Sequence, residues 1–183
     1  PKWNPTGTSF LVLFVYYLNN ERKSKLVFCD IENGYTKIWN NELIEFVSHF
    51  CWISDIEFVF SGKIKNKKFG YYRGIVETEI INKIYEIPII SDGHPTFDKQ
   101  SNTMFFDTYP DRFSEQSLYM MNFNNNNVHK ICSLLSPLKY VHSNKCDLHP
   151  RVSNNGDMII IDTGYLGKRS VMLMEGFNNL DNH

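Results

Sequence analysis

Two stretches of the chain place a histidine directly before a proline and two residues after an aspartate: Asp92-Gly93-His94-Pro95 and Asp147-Leu148-His149-Pro150. Imidazole moves protons near neutral pH and binds divalent metals, and a nearby carboxylate can complete a ligand set. Two histidines alone are few for a divalent site, so Asp92 and Asp147 are the first places to look for further ligands. A plainer role competes: proline blocks one ladder bond where a strand begins, and the imidazole caps the loop before it. Structural, ligand-binding and metal-binding readings of His94 and His149 all stay open at this level, and His49 is a poorer candidate for a third member.

Basic and aromatic residues cluster downstream of each histidine. Asp107 leads to Arg112, Asp162 leads to Lys168 and Arg169, and Arg151 follows the second His-Pro pair directly. Guanidinium groups take carboxylates in bidentate fashion, so Arg112, Arg151, Lys168 and Arg169 form a candidate rim for an anionic ligand. The competing reading is an Asp-Arg pair that staples each loop. Tyr109, Tyr140 and Tyr165 fall in the same loops and suit stacking on sugar rings, and Lys139-Tyr140-Val141-His142 adds a further basic and aromatic cluster. Cys146 stands three residues before His149, but along an extended segment that spacing puts side chains on opposite faces, against a thiol nucleophile. The chain has no Gly-rich phosphate loop, no GxSxG and no HExxH.

The elements that must position these residues recur along the chain. A short strand with one large apolar residue, a polar turn and a strongly apolar strand appear around Trp3, Trp52, Phe97 and Val152, at separations of 49, 45 and 55 residues. The apolar strands cover 10–16, 56–60, 103–107 and 158–162, and third strands follow at 25–31, 69–76, 116–123 and 169–174. Fourth-strand candidates lie at 35–39, 80–84 and 128–134, with turn chemistry at Glu32-Asn33-Gly34 and in the asparagines of 124–127. Residues 41–48 suit either a short helical turn or a connection between units. This period predicts an all-β chain, a β-propeller of about four four-stranded antiparallel blades at 1–40, 48–85, 92–135 and 147–176, one partial domain of a larger ring. In such a ring the first strand of each blade lines the channel, so the segments before Phe97 and Val152 should converge.

Composition agrees. Among 183 residues, 42% are hydrophobic and 15% aromatic, enough to build a core, and a net charge of -1 argues against general nucleic-acid binding. The apolar run 10–17 is too short to span a bilayer as a helix, and no signal peptide is visible, which favours a cytoplasmic setting. Cys29, Cys51, Cys132 and Cys146 are widely spaced and read as reduced thiols.

The sequence Asp92-Gly93-His94-Pro95-Thr96-Phe97, the loop Asp107-Thr108-Tyr109-Pro110-Asp111-Arg112, and Cys146-Asp147-Leu148-His149-Pro150-Arg151 with Asn155-Gly156 and Asp162 resemble bacterial TolB-like, WD40-like repeat propellers, most of all those labelled oligogalacturonate-lyase-like. The blade turn usually written Ser-Pro-Asp-Gly stands here as Asn4-Pro5-Thr6-Gly7, Asp98-Lys99-Gln100-Ser101 and Ser153-Asn154-Asn155-Gly156. The resemblance implies recognition of an anionic, uronate-containing oligosaccharide or polysaccharide, with a divalent metal (Mn or Ca) on histidines and a glutamine, and β-elimination as the reaction. On that reading His94 and His149 hold the metal or act as base, Arg112 and Arg151 engage the carboxylate, and Tyr109, Tyr165, Lys168 and Arg169 contact substrate. The alternative it implies is a non-catalytic module with a protein or surface-polysaccharide partner.

Overall fold

The computed structural model describes residues 1–84, 92–140 and 144–177. It is all-β, its strands forming four antiparallel sheets, and among the described residues no helix is long and apolar enough to cross a membrane. The chain divides into two compact units, Pro1–Ile90 and Ser91–His183.

The first unit holds two sheets, β1 (Lys2–Trp3), β2 (Ser9–Leu18), β3 (Glu21–Asp30) and β4 (Tyr35–Trp39), then β5 (Ile44–Trp52), β6 (Glu57–Ile64), β7 (Gly70–Ile75) and β8 (Ile81–Lys83). Spatial order follows chain order in each, so every connection within a sheet is a hairpin and turn chemistry sets the register. Asn19 and Asn20, both left-handed at φ 50° and 63°, make the two-residue turn that matches strand twist between β2 and β3. Between β3 and β4 the Asp30 carboxylate accepts the Asn33 amide at 2.9 Å and Gly34 supplies φ 68°, as the Glu32-Asn33-Gly34 signal predicts.

Trp39 locks these two sheets together. Its fully buried ring meets Phe58 and Phe60 of β6 at 4.8 and 6.0 Å, and its indole N–H donates to the Ile75 carbonyl of β7 at 3.1 Å. Residues 44–48 extend β5 rather than forming a helical turn. Ile44 and Val47 are buried, and the Ser24 hydroxyl bridges both the N–H and the carbonyl of Val47, so a strand buries here what a helical turn would leave half exposed.

The second unit pairs β9 (Pro95–Asp98), β10 (Thr103–Asp107), β11 (Glu115–Asn122) and β12 (Val128–Leu135) in one sheet, and β13 (Arg151–Val152), β14 (Met158–Thr163) and β15 (Ser170–Glu175) in another. The last sheet has three strands among the described residues, matching the lack of a fourth-strand signal there. Phe105, Leu118, Met120, Leu148, Ile159, Ile161 and Phe177 form the core between its sheets. The degraded blade turns keep their chemistry. Asp98 accepts the amides of Gln100 and Ser101, Ser153 accepts the amide of Met158, and Gly156 takes φ 72°. Gln100 also reaches across to the Asn154 carbonyl at 3.1 Å, tying the two turns, and β9 contacts β13.

Replacing Trp39 with alanine removes this fully buried ring and leaves a cavity. We expect the first unit to lose about 3–5 kcal/mol, read as a lowered urea midpoint in its tryptophan fluorescence transition.

Candidate functional site

The two His-Pro segments lead into β9 and β13, and what fixes them is Asp107, the last residue of β10. Its carboxylate is buried to 1% exposure and accepts the His94 backbone N–H at 2.5 Å and the His149 backbone N–H at 2.9 Å. Both of its oxygens also lie 3.0 Å from Nδ1 of His94. The chain comes this close only because residue 93 is glycine: a Cβ there would sit 1.8 Å from the Asp107 carbonyl oxygen.

His149 adopts φ +42° although it is neither glycine nor asparagine and precedes a proline, a position where sterics disfavour the helical regions. Such backbone persists where surrounding bonds over-determine it, and here the N–H is held by Asp107 while the Leu148 carbonyl accepts the Asp162 amide at 2.8 Å. The result brings the imidazoles of His94 and His149 to 3.6 Å between centroids, tilted by 31°. Ligand atoms of His94, Asp147 and His149 all lie within 4.8 Å of one another, close enough for one ion to reach all three. The amide of Gln116, on β11 and 2% exposed, donates to the Asp147 carboxylate at 3.4 Å. Asp92 serves differently, accepting the N–H of Gly93 with its side chain and that of Tyr109 with its carbonyl.

A cavity of about 450 Å³ adjoins this cluster, lined by Lys145, Cys146, Asp147, His149, Asp162, Arg169, Ser170 and Val171. Arg169 donates to the carbonyls of Asn144 and Lys145 at 2.7 and 2.8 Å and stands 5.8 Å from the Tyr140 ring. The Lys145 ammonium lies 5.0 Å from the Tyr109 ring, which in turn meets His94 edge-on at 5.8 Å. The structure therefore brings His94, His149, Asp147, Tyr109 and Arg169 together. Arg112, Arg151 and Lys168 do not line the cavity. Arg112 lies over its neighbour Phe113 at 4.6 Å, Arg151 is exposed on β13 opposite Ile160, and Lys168 is exposed in the β14–β15 loop. Tyr165 is half exposed, its amide bonded to the Thr163 hydroxyl. His49 stands on β5 of the first unit, and Val141 and His142 lie outside the described residues.

Three members escape the sequence reading. Lys145 carries no signal beyond its place before the Cys-Asp-Leu-His-Pro run, Gln116 is hidden inside a strand, and Asp107 partners histidine segments rather than an arginine. Cys146 also differs from expectation. It lines the same cavity as His149, where an extended segment would have sent the two side chains to opposite faces. Burial pushes the Cys146 thiol up, Asp162 and Asp147 add to the rise, and Arg169 opposes it. All four cysteines are free thiols.

No protein-family model matches the chain, and no curated protein does. Solved structures do. TolB from Acinetobacter baumannii matches with a TM-score of 0.62 at 13% identity, covering 94% of this chain and 39% of that one. An oligogalacturonate lyase in complex with manganese matches at 0.59 and 13% identity, covering 94% and 63%, and an oligogalacturonate lyase from Vibrio parahaemolyticus at 0.60 and 12%, covering 94% and 64%. The fold is a β-propeller. The propeller segment spans less than two thirds of each of these chains, and at such identities the likeness is one of fold. Within the propeller, β9 and β13 are the first strands of their blades, which is why the segments leading into them meet.

Two outcomes follow for the propeller's site. His149→Gly relieves the left-handed strain, so it should be more stable than His149→Ala by about 1 kcal/mol, measured by chemical denaturation, while both lose the imidazole. Because only the thiolate is alkylated and burial raises the Cys146 thiol, its iodoacetamide reaction in the folded protein should be slow at pH 7.5. The rate should still be climbing above pH 9, as peptide mass spectrometry of the labelled residue would show.

Proposed function

We propose that this propeller binds an anionic, uronate-containing saccharide with the help of a divalent cation and cleaves it by β-elimination. The observation that carries the reading is the convergence of His94, Asp147 and His149 beside a cavity that also holds Lys145 and Arg169. Two imidazoles and a carboxylate suit a divalent ion, and the nitrogen donors favour Mn²⁺ over Ca²⁺, which prefers an all-oxygen shell. Asp107 behind His94 is the outer carboxylate that histidine ligands commonly bond, so the donor set fits the ion. A propeller lyase complexed with manganese shares the fold, which supports the same direction.

When bound, the cation supplies positive charge against the uronate carboxylate, and that acidifies the neighbouring C–H. The chain's own residues do the rest. Lys145 and Arg169 offer fixed positive charge to carboxylates along the saccharide, and Tyr109 and Tyr140 present rings beside them. Elimination needs a proton acceptor, for which the cavity offers the Asp162 carboxylate. Arg112, Arg151, Lys168 and Tyr165 take second place as saccharide contacts, since they lie outside this cavity's lining. The likeness to TolB, as close as that to the lyases, favours a second reading, a propeller that binds a saccharide or protein partner without turnover.

Incubation with oligogalacturonate, with and without Mn²⁺, separates the two. The lyase reading expects a Mn²⁺-dependent rise in ultraviolet absorbance from the unsaturated product, lost in His94→Ala and His149→Ala. A flat trace with saccharide binding retained would establish the second reading.

A further inference from the structure

We propose that Asp107 is the positioning residue of this centre, one buried carboxylate that sets the ring state of His94 and the backbone of His149 together. The inference deepens the cation reading above, and rests on it only for one of its two readouts.

A carboxylate can only accept. Nδ1 of His94, 3.0 Å from both Asp107 oxygens, is therefore the nitrogen that carries the proton, and in the neutral ring the lone pair is left on Nε2. The same side chain takes the His149 N–H through Oδ2 at 2.9 Å, and this bond helps hold the left-handed backbone that turns the second imidazole onto the first. His94 and His149 lie 13 and 42 residues from Asp107, in the lead-ins of two different blades, so a single group controls the orientation of both. Asparagine in its place has one acceptor and one donor, and whichever way it is turned its NH₂ faces an N–H. The substitution thus breaks the arrangement without changing its size.

A merely structural aspartate stands nearby for comparison. Asp98, at the other end of the same sheet and also buried, accepts two amides and the Ser101 hydroxyl in its turn and touches neither histidine. The test compares the protein with Asp107→Asn and Asp98→Asn in two measurements: Mn²⁺ affinity by titration calorimetry, and long-range ¹H–¹⁵N correlation of the histidine rings without metal. Asp98→Asn should lower thermal stability yet keep both the Mn²⁺ affinity and the His94 proton on Nδ1. Asp107→Asn should bind Mn²⁺ about 10- to 100-fold more weakly and lose the Nδ1 signature. A His94 proton found on Nε2 in the unsubstituted protein overturns the assignment, and so does an Asp107→Asn variant that keeps both properties. If none of the proteins binds Mn²⁺, the cation reading fails while the ring-proton result still decides the role of Asp107. That result needs only the unsubstituted protein, so it stands even if Asp107→Asn does not fold.

Discussion

A carboxylate taken out of water costs several kcal/mol unless N–H groups replace the water it loses. Asp107 meets that demand with donors from two blades, and the local structure is arranged around the requirement. Glycine at 93 lets one lead-in press against the end of β10, and the left-handed turn at His149 lets the other present its amide. With both amides directed at one side chain, the two imidazoles lie 3.6 Å apart between centroids, tilted by 31°. The histidines meet where one buried carboxylate collects amides from two lead-ins, and the cavity beside them is lined by the second of these.

Much of the blade pattern was legible because it depends on local chemistry. Strand β10 was read to its exact residues, and β2, β12 and β14 to within two, since apolar runs bounded by turn residues fix them. The degraded turns were legible for the same reason: asparagine, aspartate, serine and glycine cap their own backbone whatever surrounds them. β5 was not. Its first residues are held by the Ser24 hydroxyl and the Trp39 sheet, contacts some 20 residues distant in sequence that no local pattern announces.

The site was legible in proportion to how far each role depends on sequence neighbours. His94 and His149 were visible because the repeat puts them at equivalent places, and Arg169 because it closes a loop beside the second. The partners of Asp107 could not be read, since an aspartate followed by an arginine is as good a staple in sequence as an aspartate facing two histidines. In the β10–β11 loop the amides of Glu115 and Phe113 hold the Asp111 carboxyl below its ordinary value, the Arg112 charge adds to that lowering, and the Arg112 guanidinium lies over the Phe113 ring.

The bond from His149 to Asp107 closes a loop of 42 residues, far longer than any hairpin in the chain. Each hairpin can zip from its own turn, but that contact must wait until two separate sheets exist and have met, and the entropy of bringing such distant residues together falls due before the bond repays it. The histidine pair therefore cannot form before the sheets of β9 and β13 have met, and it is lost when the seam between them opens. A chain whose two sheets have each formed but not yet docked would therefore hold His94 and His149 apart.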